Sequence, residues 1–170
     1  MFKSFVVVTL VSCTFACGSS SESRKAESQD GTPGTLAAGT RVDASIQGAL
    51  SSRTGKVGDS TQAIVSRNVI DGSGAIAIPA GSTVTLTVAQ LNASADPASP
   101  DGTLSLVASS ITVNARTYPL GVPIKEVPHH MEWRDGAVPP AGTPGIRDVI
   151  VSAGTSIGLM LATPLKVTPK

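Results

Sequence analysis

Short runs of alternating apolar and polar residues dominate the chain after residue 36. In Arg41-Val42-Asp43-Ala44-Ser45-Ile46-Gln47, Val42, Ala44 and Ile46 occupy one phase and the polar residues the other. At a strand's two-residue period this predicts one buried face and one wet face. Thr83 to Val88 repeats the design with threonines on the wet side, and Ser156 to Leu161 repeats it again with Ile157, Leu159 and Leu161 in the apolar phase. Each run follows a near-identical tripeptide: Ala38-Gly39-Thr40, Ala80-Gly81-Ser82 and Ala153-Gly154-Thr155. A conformationally permissive glycine at each strand entry makes this an internal structural repeat and favours turn geometry over a phosphate cradle, because no Lys-Ser/Thr pair accompanies it.

The other segments also read as strands. Thr61 to Ile70 leads through Asp71-Gly72-Ser73-Gly74 into Ala75 to Pro79, which predicts a hairpin. Between Leu104 and Val113 the apolar phase moves from even to odd positions near Ser109, as a bulge requires. Asn114-Ala115 then turns the chain into Arg116 to Val122, while residues 92–102 read as an exposed loop. No segment has helical periodicity. The pattern predicts an all-β fold, a compact small barrel or sandwich with Ala-Gly-Thr/Ser strand entries, whose closing strand near residues 155–162 packs beside the early strands.

The N-terminus has a different design. Lys3 precedes an apolar run from Phe5 to Val11, followed by small residues and the only two cysteines, Cys13 and Cys17. The run is too short to span a bilayer as a helix and has the layout of a secretory signal. It resembles a bacterial lipoprotein signal, in which a thiol just after the apolar run is lipidated and becomes the mature N-terminus. Leu10-Val11-Ser12-Cys13 fits that family's cleavage motif better. Cys17 gives a more usual signal length and opens onto Gly18-Ser19-Ser20-Ser21, so Cys17 is the preferred lipidation site and Cys13 the alternative.

The resulting organisation is a lipoprotein signal peptide at 1–16, a flexible tether at 17–35 and a β domain at 36–170 containing an irregular 123–147 loop. The tether is rich in Ser, Glu, Lys, Gly and Pro, with too little apolar surface to offset chain ordering. The resemblance implies a bacterial cell-envelope location, anchored by lipid (palmitate among the chains) in the outer membrane and facing the periplasm. Membrane contact is then through the N-terminal lipid.

Composition narrows the function. The 170 residues suit one domain, and 13 basic against 12 acidic residues provide no polycation for nucleic acid. After Cys17 no cysteine remains for a disulfide framework, a thiol nucleophile or thiolate metal ligation. The chemically varied stretch is Glu126 to Asp135, where His129, His130, Glu132 and Trp133 lie between proline-rich segments and form the candidate partner or metal contact. Adjacent histidines on an extended chain point to opposite sides, and no distant Cys or His completes a ligand set, so no metal is assigned and no cofactor is implied. Trp133 is expected to cover the barrel mouth or to contribute to an interface.

Four segments occur in a familiar order: Ala38-Gly39-Thr40, Lys56-Val57-Gly58-Asp59, Val69-Ile70-Asp71-Gly72-Ser73-Gly74 and Ile78-Pro79-Ala80-Gly81-Ser82. They resemble the β-barrel half of conjugation and type IV secretion channel subunits, and still more the small exported bacterial envelope proteins that share this strand set. The resemblance covers roughly residues 36–122 and 148–167. It implies a fold and carries no catalytic residues. The expectation is a noncatalytic, non-enzymatic envelope lipoprotein, acting as a structural or partner-binding module with other envelope proteins. The alternatives are a carrier of a small ligand or metal using the 123–147 loop, and a component of an envelope secretion assembly.

Overall fold

The structure, a computed structural model, describes residues 34–94, 102–143 and 145–168. Cys13, Cys17 and the tether up to residue 33 lie outside the described residues. Thirteen strands occur among the described residues: β1 (Gly34–Leu36), β2 (Arg41–Ile46), β3 (Leu50–Ser51), β4 (Ser60–Val65), β5 (Val69–Ile70), β6 (Ile76–Ile78), β7 (Thr83–Asn92), β8 (Thr103–Val113), β9 (Arg116–Ile124), β10 (His130–Trp133), β11 (Arg147–Val151), β12 (Ser156–Met160) and β13 (Leu165–Val167). The fold is all-β.

Its centre is a six-stranded sheet in the order β12-β2-β4-β7-β8-β9, antiparallel throughout. The two end strands, β12 and β9, approach each other, so the sheet curls into a half-barrel. The Thr168 amide donates to the Tyr118 hydroxyl oxygen at 3.1 Å and ties the C-terminal segment to β9. The core follows the two-residue period. Val42, Ala44 and Ile46 of β2, Val84, Leu86 and Val88 of β7, and Ile157 and Leu159 of β12 are all buried. The closing strand pairs with the first long strand, Ile157 opposite Ala44 and Leu159 opposite Val42.

The Ala-Gly-Thr/Ser repeat is one turn used three times. Gly39, Gly81 and Gly154 have φ of 82°, 87° and 85°, the left-handed conformation that a type II turn demands of its third residue. The amides of Thr40, Ser82 and Thr155 each donate at 3.2 Å to the carbonyl three residues back. Their hydroxyls donate to the same carbonyls at 2.7 Å. Each turn also clasps the end of a neighbouring strand. Gly39 N donates to Leu161 O and Leu161 N returns to Thr40 O; Gly81 and Ser82 do the same around Val65, and Gly154 and Thr155 around Ile46. The clasped residues Leu161, Val65 and Ile46 are all buried. The repeat thus closes the hydrogen-bond ladder at three corners of the sheet.

Ser109 is the predicted bulge. Leu86 pairs with Ala108 and Thr85 with Ser110, so Ser109 has no partner across either neighbouring strand. Its hydroxyl donates to Thr85 O at 3.1 Å, tying the bulge back to β7. Asn114 and Ala115, at φ 50° and 64°, turn β8 into β9 as a type I′ hairpin does.

The structure differs from the sequence expectations in four places. Gly34 and Thr35, assigned to the tether, belong to β1 and pair with β13. Thr61 to Ile70 is not one strand: β4 stops at Val65, where the Gly81–Ser82 clasp takes both backbone groups, and β5 starts at Val69. The β5–β6 hairpin itself is present, its turn organised by Asp71 Oδ1, which accepts from Ser73 N, Ser73 Oγ and Ala75 N. Of the 92–102 loop, Asn92 still pairs with Thr103, and buried Ser94 exchanges two 2.9 Å backbone bonds with Arg147.

The fourth difference concerns the 123–147 segment, which is not an irregular loop. Pro123 and Ile124 complete β9, pairing with Val107 and Leu106, and residues 130–133 form β10 against β11. Proline is tolerated in β9 because that strand ends the sheet, where a missing N–H removes no ladder bond. Pro128, Pro139 and Pro140 lie outside the paired residues.

Candidate functional site

The side chains singled out by sequence, His129, His130, Glu132 and Trp133, sit on or beside β10, an end strand of the three-stranded sheet β10-β11-β3. That sheet is attached to the half-barrel through Ser94 and Gly102. A Cβ at Gly102 would stand 2.5 Å from both Asn92 O and a Val149 methyl, so only glycine permits this approach. Val127 is buried, and Met131 packs against the core from the inner face of β10.

Alternation along β10 separates the candidates. His130 and Glu132 project outward, with side chains 50% and 63% exposed, and pair at 3.0 Å between Nε2 and Oε1. His129 precedes the strand and uses Nδ1 on the Val127 carbonyl at 2.8 Å. The two imidazoles are therefore not assembled into one site. Among the described residues no group of three His, Cys, Asp or Glu side chains is placed to hold a metal ion. Neither ring has a hydroxyl partner among those residues.

Trp133 lies half-buried on the inner side of the β10–β11 hairpin. The Arg147 guanidinium carbon stands 5.4 Å above its ring, a cation–π arrangement. A Cβ at Gly145 would lie 2.7 Å from the ring and from Pro139, so the indole is packed against backbone. Trp133 braces its own hairpin.

Next to it stands an arrangement that sequence reasoning missed. Asp148 on β11 is buried, and its carboxylate accepts from Arg134 Nε at 3.1 Å, from Arg134 Nη2 at 2.6 Å and from Ser52 Oγ at 2.9 Å. Ser52 Oγ also accepts the Val149 amide at 3.0 Å, and Arg53 donates to the Arg134 carbonyl. The Arg134 hydrogen bonds hold the Asp148 carboxyl below its usual range against the opposing effect of burial, with help from Ser52 and the Arg53 charge. The signal was available: an aspartate inside Ile146-Arg147-Asp148-Val149-Ile150-Val151 sits where an apolar residue is expected, and a buried carboxylate needs partners. Ser52 and Arg53, almost a hundred residues upstream in the case of Ser52, were not findable by spacing.

The outward His130 and Glu132 of β10 thus lie on a hairpin that the Arg134 pair with the buried Asp148 carboxylate ties together. No protein-family model and no curated protein sequence matches this chain. Among solved structures it is similar to ComB10 of the Com type IV secretion system of Helicobacter pylori. The match has a TM-score of 0.50 at 13% identity and covers 78% of this chain and 89% of that one. The two proteins share a fold. This agrees with the strand-and-turn resemblance to secretion-channel β domains drawn from the sequence.

Proposed function

We propose that this protein is a noncatalytic, exported module of the bacterial cell envelope that works by binding other envelope proteins, as a component of a secretion-type assembly. The observation that carries the reading is the fold shared with ComB10 across most of both chains. The side-chain chemistry supports it: the buried Asp148 carboxylate near β10 is taken up by Arg134 and Ser52, which favours a contact surface over a reactive pocket. In this reading the lipid on Cys17 holds the domain at the outer membrane, and the tether sets its reach into the periplasm.

The test is photocrosslinking of the full chain in native membranes, with the crosslinker placed in turn at His130, Glu132 and Lys166, followed by mass spectrometry. Discrete products with defined envelope proteins are expected. Crosslinks only to lipid from all three positions would overturn the reading, and a stoichiometric metal or small molecule retained by the purified protein would favour a carrier instead.

A further inference from the structure

The outward face where β2 meets β12 carries a second polar arrangement, remote in sequence from β10. The register sets Met160 opposite Arg41, Gly158 opposite Asp43 and Ser156 opposite Ser45. Alternation buries Ile157 and Leu159 and leaves the others outside. Arg41 Nε donates to Asp43 Oδ1 at 2.7 Å, and Arg67, from the segment joining β4 to β5, donates to Oδ2 of the same carboxylate. The arginine side chains stay 65% and 71% exposed, whereas Asp43 is only 19% exposed. One carboxylate thus holds two guanidiniums, one on each of its oxygens, and the trio carries one net positive charge.

Gly158 shapes the ground between them. A Cβ there would stand 3.0–3.2 Å from the Arg41 guanidinium, so that group lies over the glycine. Ser66, Ser156 and Ile157 complete a shallow depression of about 410 Å³. Each guanidinium has five N–H donors, and among the described residues each uses one, on Asp43. Both arginines line the depression, and a guanidinium's remaining donors suit a second carboxylate in charge and geometry. Met160, 54% exposed on the same face, adds apolar surface. Arginine and methionine are both enriched at protein interfaces.

We propose that this depression docks an acidic side chain of a partner protein, whose carboxylate bridges Arg41 and Arg67 above Gly158. The proposal rests on the partner-binding reading above and gives it a site. Asp43 does not oppose the docking, because its charge is already matched by one arginine and it positions both.

N-acetylated tetraglutamate titrated into the full chain is the probe, followed by NMR of the arginine Nε–H and Gly158 amide resonances. A saturable shift confined to this face is expected, weakening as added salt screens the charges. Arg41→Gln with Arg67→Gln should weaken the peptide by about tenfold or more, and Arg67→Lys, which keeps the charge but loses the guanidinium fork, should weaken it by less than the double variant does. Gly158→Ala, which displaces the Arg41 guanidinium, should weaken it with little change in melting. Unchanged binding in the double variant, no saturable shift in the parent, or an equal response to inorganic phosphate would each overturn the site. The native-membrane crosslinks from β10 and Lys166 do not depend on these residues, so their persistence in such a case leaves the broader reading standing, and their absence in the parent protein defeats that reading instead.

Discussion

Arg134 grips the buried carboxylate of Asp148 through two hydrogen bonds, at 3.1 Å and 2.6 Å. The pair joins the turn after β10 to the start of β11, and Ser52 extends it to the turn after β3. Since the folded state lowers the Asp148 pKa, this group's stabilisation is complete above the unfolded carboxylate's pKa and is lost as pH falls through the lower folded value. Asp148→Asn should lower stability by about 1–3 kcal/mol at pH 7, because partner groups lose their ionised acceptor. The gap between parent and variant should narrow on acidification; chemical denaturation at pH 7 and pH 3 measures it. A gap independent of pH would contradict the assignment.

The three turn glycines make a matched set. A Cβ at Gly39, Gly81 or Gly154 meets nothing within 4 Å, so alanine there tests backbone conformation alone. Each substitution should cost about 1–2 kcal/mol, the penalty of a left-handed conformation for a residue with a Cβ. Equal losses at the three sites by thermal melting would establish that one turn is used three times.

The C-terminal segment should be indispensable. Deleting residues 150–170 removes β12 and β13, exposes the β2 edge and takes Ile157, Leu159 and Leu161 from the core. Each large aliphatic contributes about 1.5–3 kcal/mol when buried, and an open edge invites aggregation. A soluble truncation with a cooperative melt would refute the closure seen here.

The β10 candidates separate into two classes. His129→Ala, His130→Ala and Glu132→Ala together should leave the melting midpoint nearly unchanged, because these side chains are exposed. Trp133→Ala should lower stability by about 1–3 kcal/mol, as a half-buried indole and its contact with Arg147 are lost. Trp133 is the sole tryptophan, so its fluorescence reports hairpin opening directly.

For the anchor, Cys17→Ser should release the domain from membranes, and Cys13→Ser should not. Mass spectrometry of the mature N-terminus reads the lipidated residue. Lipid on Cys13 would move the site, and an unmodified N-terminus beyond residue 17 would remove it.

The amino-acid sequence alone carried whatever repeats at short range. Strands β2, β7 and β12, their buried phases, the glycine turns, the Ser109 bulge and the Asn114-Ala115 turn each depend on neighbouring residues, so a two-residue period or a positive-φ residue reveals them. The proline-rich stretch misled because proline's effect depends on the strand's place in a sheet. In β9, at the end of the sheet, Pro119 and Pro123 remove no needed donor, and that place is set by the partner strand. The polar arrangements were hidden for the same reason. Asp148 with Ser52, and Arg41 with Gly158, meet only because antiparallel pairing brings distant segments together. The chain's local chemistry settled which residues are strands and turns; tertiary pairing decided which charges share a surface, because contact between side chains depends on register and sheet order, neither of which has a local signature.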